Sequence, residues 1–477
     1  MCPDPTSTKA KEIVSSFPPT IADASRLLAA GDLTAVDLTQ QCLSRIDAFD
    51  GEIHAFHKVL RDESLSSAAA SDVRRAAGNT RGVLDGIPLA VKDVVQVSGQ
   101  ACTANSRVLE GNIAAEDATV IARLKDAGAI ILGIVDTYEF AFGGRPTYDA
   151  LFPPACNPWD PSKSTGGSSS GCGASVAAGF CLGAVGSDAG GSIRTPAALC
   201  GTAGIKPTIG RVPTSGVVPL TFSLDTVGPL ARTAEDCALM LQTMAGYEPC
   251  DQLSADELVP DYVGGLTGRL EGLTVGIAKR FYYDDYDTPD DIRAAFDAIV
   301  VVLEDLGAQV VTADLPELMD FHAVGRLMLP AEAYAIHEEK LKTRWSEFGP
   351  LSRNRMMLGA FVRSSDYLQA QRRRNELAVI VDNVFQKCDV LVAPAMLVPA
   401  APMDSDETFP FLAAPMINVP FNLTDHPAVS VRCGFQESGM PIGAQFVARR
   451  WDEARALQVA HAYERAAGWH ELQPEIA

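Results

Sequence analysis

Residues 164–201 read STGGSSSGCGASVAAGFCLGAVGSDAGGSIRTPAALCG. Two loops rich in glycine and serine, 166–171 and 186–192, flank a compact run of small and apolar residues. Such a run predicts a closely packed helix that leads into a buried strand. A flexible Gly/Ser linker would instead have polar sequence on both sides. We therefore interpret both loops as parts of a folded core.

Strand and helix patterns alternate along the rest of the chain. Short apolar runs that predict buried strands lie at 86–95, 130–136, 274–279, 308–315, 388–395 and 441–449. Helical spacing of apolar residues is found at 20–30, 62–77, 117–127, 291–307 and 453–468. Thr20 and Gly31 are the predicted ends of the first helix, and Thr34 with Asp37 predicts the start of another. The alternation predicts an α/β fold with a central mixed, largely parallel β-sheet covered by helices on both faces.

Composition and charge exclude several classes of partner. A net charge of −21, from 39 basic and 60 acidic residues, repels a phosphate backbone, so we expect no nucleic-acid partner. No apolar run reaches the roughly 18 residues of a membrane span, so we expect no membrane either. The 11 cysteines include no C-x-x-C pair, which favours free thiols over disulfides or a zinc site. Residues 1–20 lack the apolar segment of a signal peptide, and we expect a cytoplasmic protein.

The first serine loop fits two known motifs only in part. A phosphate-binding loop needs a lysine where this chain has Cys172. A nucleophile elbow of the G-x-S-x-G type would place Ser169 between Gly167 and Gly171. That elbow requires a strand directly before it, and the preceding CNPWDPSKST contains no apolar run. An α/β-hydrolase-like esterase that uses Ser169 therefore stays open as an alternative.

The second loop contains a candidate nucleophile beside candidate amide donors. Gly190 and Gly191 allow backbone N–H groups to converge on one point, next to Ser192. Such a nest is an oxyanion hole when a nucleophile lies beside it. Asp188 and Arg194 flank the loop and are expected to brace it by charge pairing. A Gly-Gly-Ser sequence is also a common helix cap, so the loop alone leaves both interpretations open.

A serine nucleophile needs a base, and no histidine lies near either loop in the sequence. A buried lysine can act as the base when desolvation favours its neutral form. Lys92 lies in the apolar run PLAVKDVV, where a charged side chain is costly. It is therefore the candidate base. The alternative is that Lys92 only forms a salt bridge with Asp93 or another acid.

Taken together, these segments resemble the amidase signature family. Residues 167–197 contain the fixed positions of its long motif, which are Gly167, Ser168, Gly171, Asp188, Gly190, Ser192, Arg194 and Pro196. The similarity extends over roughly residues 20–470, including GIPLAVKD, SLDTVGPLART and PIGAQFVAR. It implies a single catalytic domain at 20–477 after an N-terminal extension at 1–19. The signature core would occupy about 75–235, and a variable substrate-pocket region about 320–410.

The resemblance also implies roles for individual residues. Ser192 would be the nucleophile, Lys92 the base, and Ser168, on a cis peptide bond, the relay between them. The implied oxyanion hole consists of the backbone N–H groups of Ala189, Gly190, Gly191 and Ser192. The implied supporting residues are Ser169, Asp188 and Arg194. The family needs neither a metal nor an organic cofactor.

The implied activity is hydrolysis of a C–N bond in a small or aryl amide, or in a carbamate, by a monomer or homodimer. A glutamine-hydrolysing amidotransferase-type subunit is the main alternative. Sequences of that type usually carry Gln where this chain has Thr195, and a Tyr-Gly step where it has PTSGVV. A binding protein without catalysis is a third possibility, although the candidate triad is complete.

Departures from the family pattern concern the substrate pocket and the surroundings of the triad. Ser170 replaces a usual Gly, Asp136 a usual Asn, Ala395 a usual Thr, and Asp425 a usual Gly. We expect Ala395, Asp425 and His426 to border the pocket. The candidates for an apolar lining are Met328, Met356, Met357, Leu358 and Phe361, although Met and Phe at helical spacing are more often core residues. Residues 393–408 are a candidate lid or, alternatively, a plain surface connection.

Overall fold

A computed structural model describes residues 18–144, 151–405 and 416–476, which leaves most of the predicted N-terminal extension outside the described residues. The helices of these ranges are α1 (Ile21–Ala30), α2 (Ala35–Ile53), α3 (Arg61–Ala76), α4 (Thr119–Asp126), α5 (Ser170–Ala177), α6 (Arg194–Cys200), α7 (Ala234–Met244), α8 (Lys279–Tyr283), α9 (Asp290–Asp305), α10 (Leu318–Thr343), α11 (Pro350–Met357), α12 (Ser364–Val384), α13 (Val419–Leu423) and α14 (Glu453–Ala467). None of these helices has both the length and the apolar character that a bilayer crossing requires.

The strands are β1 (Phe56–Val59), β2 (Pro88–Lys92), β3 (Ile130–Val135), β4 (Cys156–Asn157), β5 (Asp160–Ser164), β6 (Gly183–Asp188), β7 (Ala203–Lys206), β8 (Thr226–Ala231), β9 (Thr274–Ile277), β10 (Gln309–Thr312), β11 (Val390–Pro394), β12 (Ala428–Phe435) and β13 (Pro441–Ala448). Strands β4 and β5 form a separate two-stranded sheet. The sequence patterns miss β1, β4, β5, β7, β8 and β12, which are short or mixed in polarity, or follow a predicted segment closely.

Local signals set the ends of the first helices, as predicted. The Thr20 hydroxyl accepts a hydrogen bond from the Asp23 N–H at 2.9 Å, which caps α1. Gly31 ends the helix in the left-handed region with φ 78°. The Thr34 hydroxyl caps α2 in the same way, by accepting from the Asp37 N–H at 3.0 Å.

Eleven strands form one mixed sheet in the order β1-β3-β2-β6-β8-β7-β12-β13-β11-β9-β10. Parallel pairings join β3, β2 and β6 in one wing and β11, β9 and β10 in the other. The strands between the wings pair antiparallel. The α/β fold with a central mixed sheet is thus confirmed, and its parallel character lies in the two wings.

Two hydrophobic clusters show that helices cover both faces of the first wing. Successive residues of a strand point to opposite faces. In β2, Leu89 and Val91 belong to the larger cluster, whereas Ala90 between them belongs to the second. Helix α1 contributes to the larger cluster and α5 to the second. The sheet is therefore buried between helices, as predicted.

The parallel wing fixes the position of the candidate site. Strands β3, β2 and β6 run in the same direction and end at Val135, Lys92 and Asp188. The carboxyl ends of neighbouring parallel strands meet at one edge of a sheet, where ligands commonly bind. Lys92 and the second glycine loop are thereby brought to one edge, although they lie in separate segments of the chain.

The contact between α6 and β13 gives a test of the packing. A Cβ atom on Gly443 would lie 2.4 Å from the Ala198 Cβ and 2.6 Å from the Ala198 Cα, so either the helix or the strand would have to move. We expect Gly443→Ala to lower the free energy of unfolding by about 1–3 kcal/mol, measured by urea denaturation.

Gly51→Ala is the control for this prediction, because nothing lies within 4 Å of a Cβ on Gly51 in α2. It should stabilise the protein by about 0.5–1 kcal/mol through helix propensity. Equal denaturation midpoints for the two variants would contradict the described packing of α6.

Candidate active site

Lys92 is fully buried at the end of β2 and faces hydroxyl groups. Its Nζ lies 2.8 Å from the Ser168 Oγ and 2.9 Å from the Ser187 Oγ. Burial lowers the pKa of the amine from 10.5 to about 8. The neighbouring Asp93 points elsewhere and accepts a hydrogen bond from the Thr103 N–H at 2.8 Å. The structure therefore does not have the Lys92–Asp93 pair that was the alternative in the sequence.

Ser168 is buried next to this amine. The Gly167–Ser168 peptide bond is cis, and Ser168 is 2% exposed. The Ser168 carbonyl accepts a hydrogen bond from the Tyr138 N–H at 3.1 Å. A Cβ on Gly167 would lie 2.5 Å from the Tyr138 ring, so only glycine allows this close approach.

Ser192 is partly exposed and lies on the wall of two cavities. Its carbonyl accepts from the Ser169 N–H at 3.1 Å, which links the two serine loops. The Ser169 side chain is buried and donates to the Ser187 carbonyl at 3.2 Å. Strand β5 does precede this loop, but it lies in the separate small sheet. Burial of Ser169 and the place of β5 argue against the esterase alternative.

A buried ion pair braces the second loop. The Arg194 Nε and Nη2 each donate to the Asp188 carboxylate at 3.0 Å, and both side chains are fully buried. Burial alone would raise the pKa of Asp188, but Arg194 holds it well below its usual range. Asp188 also accepts from the N–H groups of Gly191 at 2.7 Å and Ile193 at 3.1 Å. The loop is therefore wrapped around one carboxylate.

This arrangement engages one of the four expected oxyanion donors. The Gly191 N–H is directed at Asp188, so it faces away from a ligand in this conformation. No acceptor bonds the N–H groups of Ala189, Gly190 and Ser192 within the described part of the chain. Gly191 itself has φ 118°, and a Cβ there would lie 2.7 Å from that of Asn418. The donors left for a substrate oxygen are thus those three N–H groups.

The larger cavity at Ser192 has a volume of about 500 Å³ and also contains Ser168. Its apolar wall includes Leu199, Leu220, Leu329, Met396, Leu397 and Met416. Arg355 is the charged residue of its described lining. A smaller cavity of about 190 Å³ is also lined by Ser192 and contains the half-buried Asp225. The site therefore combines reactive hydroxyls, an apolar wall and one cation.

The structure corrects the predicted lining from helix-rich segments. Met328 and Met356 are fully buried in the core, and Phe361 is 81% exposed. Leu329 is the residue of α10 in the cavity wall, although it belongs to the same core cluster as Met328. Met357 is half-buried and Leu358 is exposed, and neither lines this cavity.

The expected pocket border at Asp425 and His426 is also corrected. Asp425 accepts from the Ile209 N–H at 2.8 Å, and the His426 Nε2 lies 3.2 Å from the Asp382 carboxylate. Neither lines the cavity. Ala395 is buried, and its carbonyl accepts from the Asn418 Nδ2 at 2.9 Å.

Part of the candidate lid does line the cavity. Residues 397–399, Ala401 and Ser405 contribute to the wall. The last residues of that segment, 406–408, lie outside the described residues. Sequence analysis did not identify Ser187, Tyr138, Arg355 and Asn418 as site residues. The most that the sequence showed of any of them was that it lay close to a motif.

Comparison with known proteins shows the family of this chain. A family model described as Amidase matches residues 37–457. The chain belongs to the amidase signature family. A glutamyl-tRNA(Gln) amidotransferase subunit from Chloroflexus aurantiacus is 39% identical over 482 residues, which cover 96% of this chain and 98% of that protein.

Two solved structures extend the comparison of this amidase-signature enzyme. One is described as a vestigial protein complex that reveals the evolutionary origins of an s-triazine catabolic enzyme. It is 32% identical, has a TM-score of 0.87, and the match covers 96% of this chain and 100% of that one. The peptide amidase of Stenotrophomonas maltophilia is 28% identical with a TM-score of 0.83, and the match covers 96% and 98%.

The ion pair under the second loop yields a stability prediction. Arg194→Met would leave the Asp188 carboxylate buried without its counter-charge, and we expect a loss of about 3–5 kcal/mol in the free energy of unfolding. Chemical denaturation measures this loss. Arg363→Met is the control, because Arg363 pairs with Asp366 on the surface with its side chain 78% exposed, and it should leave the midpoint unchanged. Similar midpoints for both variants would show that the buried pair does not stabilise the loop.

Proposed function

We propose that this enzyme hydrolyses the carboxamide of a small substrate that also carries a carboxylate, with glutamine as the first candidate. The observation that carries the proposal is the 2.8 Å contact between the Lys92 Nζ and the Ser168 Oγ beside Ser192. A neutral amine in that position can accept a proton through the hydroxyl. The reaction then needs no metal or cofactor.

The chemistry follows from the positions of three side chains. Neutral Lys92 takes the proton of Ser168 while Ser168 takes that of Ser192, and the Ser192 Oγ adds to the amide carbon. The N–H groups of Ala189, Gly190 and Ser192 stabilise the negative oxygen of the tetrahedral intermediate. The proton returns through Ser168 to the departing nitrogen. Water then hydrolyses the acyl-enzyme by the same relay and restores Ser192.

Arg355 supports a substrate with a carboxylate. Its guanidinium lies in the lining of the cavity and donates to the Phe142 carbonyl at 3.0 Å, and guanidinium groups bind carboxylates by charge-assisted hydrogen bonds. Glutamine has both this carboxylate and a terminal carboxamide. The Chloroflexus relative is named as part of an amidotransferase, which supports the same reaction and a role within a larger protein assembly.

A free-standing amidase acting on a small or aryl amide, or on a carbamate, is the second candidate. The apolar wall favours it, as does the similarity to a peptide amidase. Thr195, which stands where amidotransferase sequences usually have Gln, lines the cavity and its hydroxyl accepts from the Asn418 Nδ2 at 3.0 Å. A substrate panel separates the two candidates.

Labelling with a fluorophosphonate tests the nucleophile and the base together. We expect the label on Ser192, and its rate should rise as the pH increases through about 8, because only neutral Lys92 accepts the proton. Lys92→Met should slow labelling by about 10²–10⁴-fold, and Ser192→Ala should abolish it. Peptide mapping by mass spectrometry identifies the site. A label on Ser169, or none on the wild-type protein, would overturn the proposed function.

Kinetics with Arg355→Met test the substrate class. Loss of a charged hydrogen bond worth about 1.5–3 kcal/mol should lower kcat/KM for glutamine about 10- to 100-fold. A neutral primary amide of similar size should be hydrolysed as before. Arg363→Met is the surface control and should change neither substrate. Hydrolysis of anilides but not of glutamine by the wild-type protein would favour the second candidate.

A further inference from the structure

A buried imidazole lies between two carboxylates directly beside the candidate catalytic residues. The His57 Nδ1 is 3.1 Å from the Asp93 Oδ2, and its Nε2 is 3.0 Å from the Asp136 Oδ1. The ring is 3% exposed and stacks on Phe152 with centroids 3.9 Å apart. A ring that donates from both nitrogens is an imidazolium. The three side chains then have a combined charge of −1.

This trio is joined to both parts of the proton relay. Asp93 directly follows Lys92, and Asp136 directly follows Val135, the partner of Lys92 in the β2–β3 register. On the other side, the Asp136 Oδ2 accepts from the Ser170 hydroxyl at 2.7 Å. The Asp136 carbonyl also accepts from the N–H of Gly171 at 3.0 Å, so the loop that carries Ser168 is bound to the same aspartate.

Two departures from the family pattern are therefore in direct contact. Asp136 stands where the family usually has Asn, and Ser170 stands where it usually has Gly. The serine supplies a hydroxyl donor to the carboxylate that the aspartate introduces. His57 supplies the positive charge that this additional buried carboxylate requires, because an unpaired buried carboxylate is strongly unfavourable.

Resting on the proposed function, we propose that His57 is a positioning residue of the relay. As an imidazolium it holds Asp93 and Asp136 in place and offsets one of their charges, so that Lys92 can be neutral when Ser168 needs a base. It touches neither the substrate nor the reacting atoms. The inference is specific to this chain, because it depends on His57, Asp136 and Ser170 together.

The electrostatic surroundings give the direction of the effect. His57 faces Asp93, Asp136 and the nearby Asp50, and Lys92 faces Cys172, Asp188, Asp225 and Asp136. Burial opposes protonation of His57, but Asp136 and Asp93 raise its pKa to about 9. The ring therefore keeps its charge over the range in which Lys92, with a pKa of about 8, loses its proton. Without that positive charge the pair of aspartates would favour the ammonium form of Lys92.

The test is the pH dependence of fluorophosphonate labelling of Ser192 in the full-length protein. His57→Gln keeps hydrogen-bonding groups but removes the charge, so the midpoint should move up by about one pH unit, which is about tenfold slower labelling below the midpoint. The double variant His57→Gln/Asp136→Asn removes one negative charge as well and should return the midpoint toward the wild-type value. A purely structural role of His57 does not predict this recovery.

Two further variants keep the test decisive. Asp136→Asn alone should lower the midpoint, because it removes a negative charge while His57 stays charged, and it applies even where His57→Gln does not fold. His54→Asn is the control for loss of a histidine, since His54 lies at the C-terminal end of α2 and outside the trio. It should leave the midpoint unchanged.

The outcomes separate this inference from the proposed function. An unchanged midpoint in both His57→Gln and Asp136→Asn, with normal labelling of the wild-type protein, would overturn the role of His57 alone. Absence of labelling in the wild-type protein would overturn the proposed function. In that case, NMR titration of the Lys92 side chain measures the same midpoints without any reaction, and equal values in all variants would overturn the inference as well.

Discussion

The burial of the Lys92 amine is the constraint on which the rest of the site depends. An ammonium group inside an apolar sheet edge is strongly disfavoured, and a neutral amine with hydroxyl partners is not. The hydroxyl of Ser168 comes from the first serine loop and that of Ser187 from the end of β6, and both must reach the end of β2. The parallel order of β3, β2 and β6 brings them there. The same desolvation that makes Lys92 costly as a cation makes it available as a base near neutral pH.

A second buried charge keeps the reactive loop in shape. Asp188 accepts hydrogen bonds from two backbone N–H groups of the loop and from the Nε and Nη2 of Arg194. The Arg194 Nη1 donates to the Gln445 side chain on β13 at 2.8 Å. Since neither charge is exposed, each is stable only through the other. This pair couples the conformation of the Gly190–Ser192 loop to the centre of the sheet. The remaining backbone N–H groups of the loop are therefore held in fixed directions, as an oxyanion hole requires.

Asp136 is expected to replace a usual Asn of the family, and the structure shows how a carboxylate at this position stays compatible with folding. A carboxylate at Asp136 is accommodated by His57 from the edge strand β1, by Ser170 from the serine loop, and by the Ala155 N–H at 3.1 Å. Each donor comes from a different segment. The carboxylate of Asp136 and the hydroxyl of Ser170 are thus explained by their contact with each other, and neither residue type is explained when it is considered alone.

Sequence by itself determined the elements whose signals are local. Thr20 and Thr34 cap their helices within three residues, and the apolar run at Pro88–Lys92 forms the buried strand that its composition predicts. The pattern at 167–197 and the segment GIPLAVKD similarly indicated Ser168, Ser192 and Lys92 as a set through family resemblance.

Only the tertiary structure decided strand order, the cavity wall and the partners of each charge. Met328 and Leu329 are adjacent, equally apolar and both buried in the core, yet of the two only Leu329 also contributes to the cavity wall. Likewise His57 and Asp136 are 79 residues apart, and their contact exists because β1 pairs with β3. Such contacts depend on how distant segments pack, and no local pattern of side chains encodes that.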